Sequence, residues 1–268
     1  MYSPSHILFI FISLSIVFIG IFVCVKMKIP TEKVIWICFL TGVICETIKI
    51  FDVIKLIPIV ELTIENGSLI YHSTGEFSPY IESKYVPYEL CSFQIFFLFL
   101  AHIVKNEKWK RRIYSLIYAT ALIGGLLAIF LSGISNDFHS IKEHLLSIRG
   151  WEFYIFHAMI IVTSIAIARD KEYGPRFSDF KLTSIIILLF DIPSFYINSL
   201  FSVPLYSNGN LIGITYSVNH FTSYFNPLGI NITTKFQYMI YIVIRLIVGF
   251  LCVLIVYTPF LRKKENKN

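Results

Sequence analysis

Seven apolar runs, separated by loops alternately rich and poor in Lys and Arg, leave this chain little choice but a polytopic helical membrane protein. The runs cover about residues 7–25, 33–51, 86–104, 113–131, 153–168, 181–201 and 237–258. Most reach the ~20 residues a helix needs to cross ~30 Å of hydrocarbon; the fifth is the shortest. Lipid offers no partner to an open backbone N–H or C=O, so each run must close its own hydrogen bonds as a helix. The expected fold is all-α, a seven-helix bundle forming one membrane domain over residues 1–268.

Charge orients the bundle. Clusters at 26–33, 105–112, 169–181 and 262–267 hold sixteen of the 23 Lys and Arg. The opposite side has only Lys55, Lys84, Lys142, Arg149 and Lys235, and Lys49 and Arg245 lie inside apolar runs. The positive-inside rule then puts the N-terminus outside and the C-terminus in the cytoplasm, as expected of a multi-pass protein of the cell membrane. The formal charge of +6 is placed to meet anionic headgroups. With no nucleic-acid motif beside it, a nucleic-acid partner is not expected; membrane lipids are. The first run lacks a basic leader and a small-residue cleavage site, so it reads as a retained helix. Trp36, Trp109 and Trp151 fall near helix ends, as interfacial anchors do. Cys24, Cys38, Cys45, Cys91 and Cys252 all lie in apolar runs, which suggests neither a disulfide framework nor a zinc site.

Three loops on the Lys/Arg-poor side stand out. Residues 52–85 contain Asn66-Gly67 between apolar stretches, a hairpin signal because both residues tolerate positive φ. Residues 137–152 put Phe138, Ile141, Leu145 and Ile148 on one face, which predicts an interfacial amphipathic helix leading into the fifth span. Residues 202–236 are rich in Asn, Gly, Ser and Tyr. The basic loops read as plain connectors, and the 262–268 tail as a stop-transfer anchor.

Ionisable groups inside spans are costly and normally face the bundle interior. Glu46 and Lys49 share a face of the second helix. Glu89, Cys91 and Gln94 lie in the first turns of the third, just after Pro87. His157 is one turn into the fifth, and Asp191, Ser194 and Asn198 form a stripe on the sixth. Arg245 is on the seventh. At ~1.5 Å per residue, Cys91 and Glu46 lie roughly 8 Å from the outer end of their spans, His157 roughly 6 Å, Asn198 roughly 5 Å and Arg245 roughly 12 Å. Asp191 sits nearer the midplane. Five helices thus bring polar chemistry to the outer leaflet. A thiol needs a base or an electropositive site to become a nucleophilic thiolate, and His157 lies at the depth to supply one.

Four segments resemble a known family. They are Gly42-Val43-Ile44-Cys45-Glu46; Val86-Pro87-Tyr88-Glu89-Leu90-Cys91-Ser92; Gly124-Gly125-Leu126-Leu127-Ala128; and Arg149 to His157, which carries an R-x-x-x-F-x-x-x-H pattern followed by a basic loop with Gly174-Pro175. Together they resemble the YwaF-like integral membrane proteins of bacteria, a seven-helix family related to eukaryotic transmembrane protein 164. The resemblance implies a phospholipid acyltransferase whose nucleophile and partner base fall on Cys91 and His157. The family usually has His two residues before the Cys, where this chain has Glu89.

Three functions fit the sequence. The first is a membrane acyltransferase or lipid acyl hydrolase: Cys91 attacks an acyl ester, His157 moves the proton, and Asn198 or Gln94 stabilises the oxyanion. No cofactor is expected, since no metal, nucleotide or CoA motif occurs. The second is a transporter or channel-like protein using Glu46, Lys49, Asp191 and Arg245. The third is a non-enzymatic envelope or assembly partner. Headgroup, acyl chain and oligomeric state are not readable.

Overall fold

The computed structural model describes residues 3–65, 68–82, 85, 90–131, 140–207, 210–216 and 233–261. Among the described residues eight α-helices run in chain order: α1 (Pro4–Lys26), α2 (Thr31–Val53), α3 (Leu90–Ile103), α4 (Glu107–Leu131), α5 (Ile141–Leu146), α6 (Ile148–Arg169), α7 (Phe180–Leu200) and α8 (Lys235–Tyr257). Six of them, α1, α2, α4, α6, α7 and α8, are long and apolar enough to cross a membrane. The third expected span, 86–104, is described only from Leu90 onward. Helix α3 has 14 residues, roughly 21 Å, and residues 86–89 lie outside the described part.

The helix starts follow local chemistry. Ser3 accepts a hydrogen bond from the His6 amide at 3.2 Å ahead of Pro4, whose missing N–H costs nothing in the first turn. Thr234 and Gln237 cap α8 reciprocally, at 3.2 and 3.1 Å, satisfying two otherwise orphaned donors. Helices α4 and α6 form the centre and are more deeply buried than the other four spans. Phe11, Phe18, Phe51, Leu189 and Ile255 point outward, as side chains on a lipid-facing surface do.

Glycines set the close approaches. A Cβ at Gly42 would lie 2.8 Å from both Ile95 of α3 and Phe156 of α6, so α2 fits against these two helices only without a side chain there. A Cβ at Gly125 of α4 would lie 2.6 Å from Ile161 and 3.1 Å from the His157 carbonyl of α6.

The chain is mostly helical, as expected, and two antiparallel hairpins join the helices at one end of the bundle. The first was predicted. Strand β1 (Lys55–Glu65) pairs with β2 (Ser68–Tyr80), from Lys55 opposite Tyr80 to Glu65 opposite Ser68; Asn66-Gly67 itself lies outside the described residues. The register shifts between Pro58 and Val60. Across from this shift Gly75 takes φ +81°, a conformation glycine adopts without penalty. Lys55 and Glu82 close its base at 2.5 Å. The second hairpin, β3 (Val203–Ser207) with β4 (Asn210–Tyr216), was not anticipated.

The amphipathic helix expected over 137–152 is also different. It breaks at Ser147, whose extended backbone caps α6 by accepting from the Gly150 amide. The fifth predicted span therefore begins at Ile148 and has 22 residues, so it is not short. Its neighbour α5 has only six. Leu145, Leu146 and Ile148 are exposed and His144 is buried, so the apolar face looks away from the bundle. The His144 ring stacks on Phe9 of α1 at 4.0 Å and packs so closely on Gly150 that a Cβ there would meet it at 2.7 Å.

Candidate functional site

The polar side chains picked out in the sequence separate into matched ion pairs and a second set with open acceptors. Lys49, almost fully buried, is bridged to Glu46 one turn earlier. Arg245 of α8 donates to Asp191 of α7 at 2.5 Å, and both side chains are nearly buried. The guanidinium also lies over the Phe195 ring at 5.4 Å. Arg149 pairs with Glu152 and stacks on Tyr85 at 5.6 Å. Each charge inside the bundle thus has an opposite charge beside it, which offsets part of the cost of taking it out of water.

His157 and Gln94 are arranged differently. The His157 ring is buried, with Nδ1 2.6 Å from the Phe153 carbonyl oxygen. A carbonyl only accepts, so Nδ1 carries the hydrogen and the lone pair is on Nε2. That nitrogen is buried and, among the described residues, has no hydrogen-bond partner. Gln94 is fully buried and spends both amide hydrogens, one on Leu90 O at 3.2 Å and one on Thr120 Oγ1 at 2.8 Å. Because Leu90 O can only accept, the amide cannot be turned round. Its Oε1 is likewise buried and unpartnered among the described residues. Gln94 therefore has no N–H left for an oxyanion, which removes one of the two donors expected from the sequence.

The Gly124-Gly125 pair of α4 lies between these groups. From Gly125 the next atoms are Ile161 and the His157 carbonyl of α6; from Gly124 the nearest is Leu90 Cδ2 of α3, at 4.0 Å. Cys91, next to Leu90, is half-buried in the first turn of α3 and packs against the core cluster that contains Phe156. On its other side α7 closes against α3: Phe190 meets Phe93 at 4.4 Å and Phe97 at 5.8 Å. Asn198 is buried further along α7, its carbonyl accepting from the Ser202 hydroxyl at 2.7 Å. Glu89 lies outside the described residues. Among the described residues no group of three or more His, Cys, Asp or Glu could hold a metal ion.

Two features escaped the sequence reading. One is the aromatic cluster of His144, Phe9, Trp151 and Tyr154 that fixes α1 to the α5–α6 elbow; its signal was Ser147 three residues before Gly150, a helix start inside what read as one helix. The other is a cavity of about 610 Å³ between α1 and α6 at the Lys/Arg-rich end, which touches none of the predicted site residues.

The packing, the outward apolar faces and the charges held inside the spans define a multi-pass helical membrane protein. More specifically, the chain belongs to the TMEM164 family, whose model matches residues 1–258. No curated protein and no solved structure matched the chain.

Proposed function

We propose that this protein is a membrane-embedded enzyme of acyl transfer, with Cys91 as nucleophile, His157 as general base and membrane phospholipid as substrate. The observation that carries the reading is the fixed tautomer of His157. Its Nδ1–H is tied to Phe153 O, so a buried Nε2 keeps a lone pair that nothing described uses. An open buried acceptor costs about 1–3 kcal/mol, and a base held ready to take a proton is a reason to keep one.

The Cys91 thiol passes its proton to His157 Nε2 and the thiolate adds to the acyl ester carbonyl. The tetrahedral intermediate expels the lipid alcohol, which takes the proton back from the imidazolium, leaving a thioester on Cys91. A second alcohol, or water, repeats the steps in reverse and frees the thiol. Asn198 remains as the oxyanion donor. The charge distribution supports placing the hairpin end of the bundle outside and the basic end in the cytoplasm, in the cell membrane, with α3 as a seventh, shorter span. The satisfied pairs Asp191–Arg245 and Glu46–Lys49 support a scaffolding role over a transport site.

Lipid analysis of cells with and without the protein, repeated with Cys91→Ala, tests the proposal. Acyl composition should change with the wild-type chain and not with the variant. A Cys91→Ala protein that folds and still remodels acyl chains overturns it.

A further inference from the structure

The cavity between α1 and α6 opens at the Lys/Arg-rich end of the bundle and includes neither Cys91 nor His157 in its lining. The two helices touch where Val162 fills the place a Cβ would take on Gly20, 2.8 Å away. From there to the helix ends they line an open groove with Ile21, Cys24, Val25, Val162, Ile165 and Ala166 along its length. Lys28, Arg169 and Lys171 stand at its mouth. None of the three pairs with a carboxylate among the described residues, whereas the nearby Lys110 is bridged to Glu32. Asp170 shares the mouth, but its Oδ1 is committed to the Glu172 and Tyr173 amides at 2.9 and 2.8 Å. The excess of positive charge therefore faces the groove. The remaining carboxylates, Glu32 and Glu172, line a separate adjoining depression of about 430 Å³.

Lys28 adds a second observation. Helix α1 ends with the Ile29 amide bonded to Cys24 O at 3.0 Å, and Lys28 takes φ 51°. Glycine is the usual residue at this left-handed position, since a Cβ is strained there. The chain keeps a lysine instead, directed by that backbone to the mouth of the groove, and strain retained at a surface position calls for a functional reason.

We propose that this groove binds an anionic glycerophospholipid from the leaflet bordering the basic end, with the phosphate among Lys28, Arg169 and Lys171 and the start of an acyl chain along Val25, Val162 and Ala166. A phosphate offers acceptors to three cations at once, and the apolar floor continues into the bilayer as an acyl chain requires. A soluble anion matches only the mouth.

The test is native mass spectrometry of the detergent-solubilised full chain with dioleoyl-phosphatidylglycerol, dioleoyl-phosphatidylcholine or inorganic phosphate. The phosphatidylglycerol should be retained in preference to the phosphatidylcholine, and millimolar phosphate should not displace it. The K28Q/R169Q/K171Q variant should weaken retention by on the order of 100-fold. Ala166→Phe, which fills the groove without changing charge, should weaken it too. If the triple variant does not fold, K28Q alone at an exposed position should still weaken retention measurably. Equal retention by wild type and these variants overturns the proposal, and displacement by phosphate reassigns the mouth to a soluble anion.

Discussion

The two ends of the bundle differ in how far their buried polar groups bond across helices. At the basic end, Tyr257 donates to Ser115 O at 2.7 Å and has the hydroxyls of Ser115 and Thr183 at 3.0 and 2.8 Å. Tyr118 donates to Val256 O at 2.9 Å, Ser164 to Tyr118 O at 2.7 Å, and Arg111 to Asp179 at 2.6 Å. These bonds clasp α4, α6, α7 and α8 together, although the Ser184 hydroxyl of α7 is buried without a partner among the described residues. Towards the hairpin end, His157 Nε2 and Gln94 Oε1 are buried and open among the described residues. Polar groups that serve only packing are normally satisfied. On the proposed reading the bonds of the first region hold the helices together, and the open acceptors of the second serve the chemistry.

The contrast breaks most sharply at Cys91. Cys91→Ala should abolish acyl transfer while leaving the melting profile in detergent close to wild type, since a half-buried thiol contributes little to packing. Activity surviving in that variant would move the chemistry elsewhere. His157→Ala should retain binding but slow turnover by roughly 10²–10⁴-fold, the usual loss with a general base. Assays at equal folded amounts distinguish these two effects from instability.

The ion pairs sharpen the comparison from the structural side. Arg245→Met strands the Asp191 carboxylate and should cost about 3–5 kcal/mol, as should Asp191→Leu with the charges reversed in role. Combining the two should recover most of the stability, because neither charge is then left alone. Thermal melts of purified protein read this directly. If the double variant is as stable as wild type but inactive, the pair does more than hold α7 to α8, and the transport reading gains. Tyr257→Phe is milder. It removes the hydroxyl shared by Ser115 and Thr183 and should cost about 1–3 kcal/mol, with turnover per folded molecule unchanged.

How much of this was legible in the sequence depended on the reach of the signal. Hydropathy located the six long helices, with the starts of α4 and α6 placed about five residues too late, because burial in lipid overrides local propensity. The Asp191–Arg245 ion pair joins two residues that the sequence had singled out only as ionisable groups inside spans. The second hairpin was missed although Asn208-Gly209 repeats the signal read at Asn66-Gly67; Pro204 and Gly213 spoil the alternation of strands β3 and β4. The helix break at Ser147 was missed because the apolar spacing of Ile141, Leu145 and Ile148 runs through it unchanged. The open acceptors on His157 and Gln94 could not be read at all, since they depend on which backbone carbonyl and which hydroxyl of another helix each side chain meets.

The smallest expected effect tests a third way of handling a buried polar group, by keeping it neutral. His144 sits in α5, closed over by Phe9 and Gly150, with His6 and Tyr154 as its titratable neighbours. Burial, and then the nearby His6, lower its affinity for a proton below that of a free imidazole. A histidine whose folded-state pKa is depressed binds fewer protons folded than unfolded in the interval below ~6.5. Its stabilising contribution is therefore fully present above pH ~6.5 and is lost as the pH falls through the folded-state value. The α1–α5–α6 corner should loosen first under mild acid. Hydrogen exchange at the start of α6 should rise between neutral pH and about pH 5 after correction for the intrinsic rate, and the rise should be smaller in His144→Phe, which keeps the stack on Phe9 without a titrating ring. A rise of equal size in the variant would show that His144 is not the acid-sensitive group.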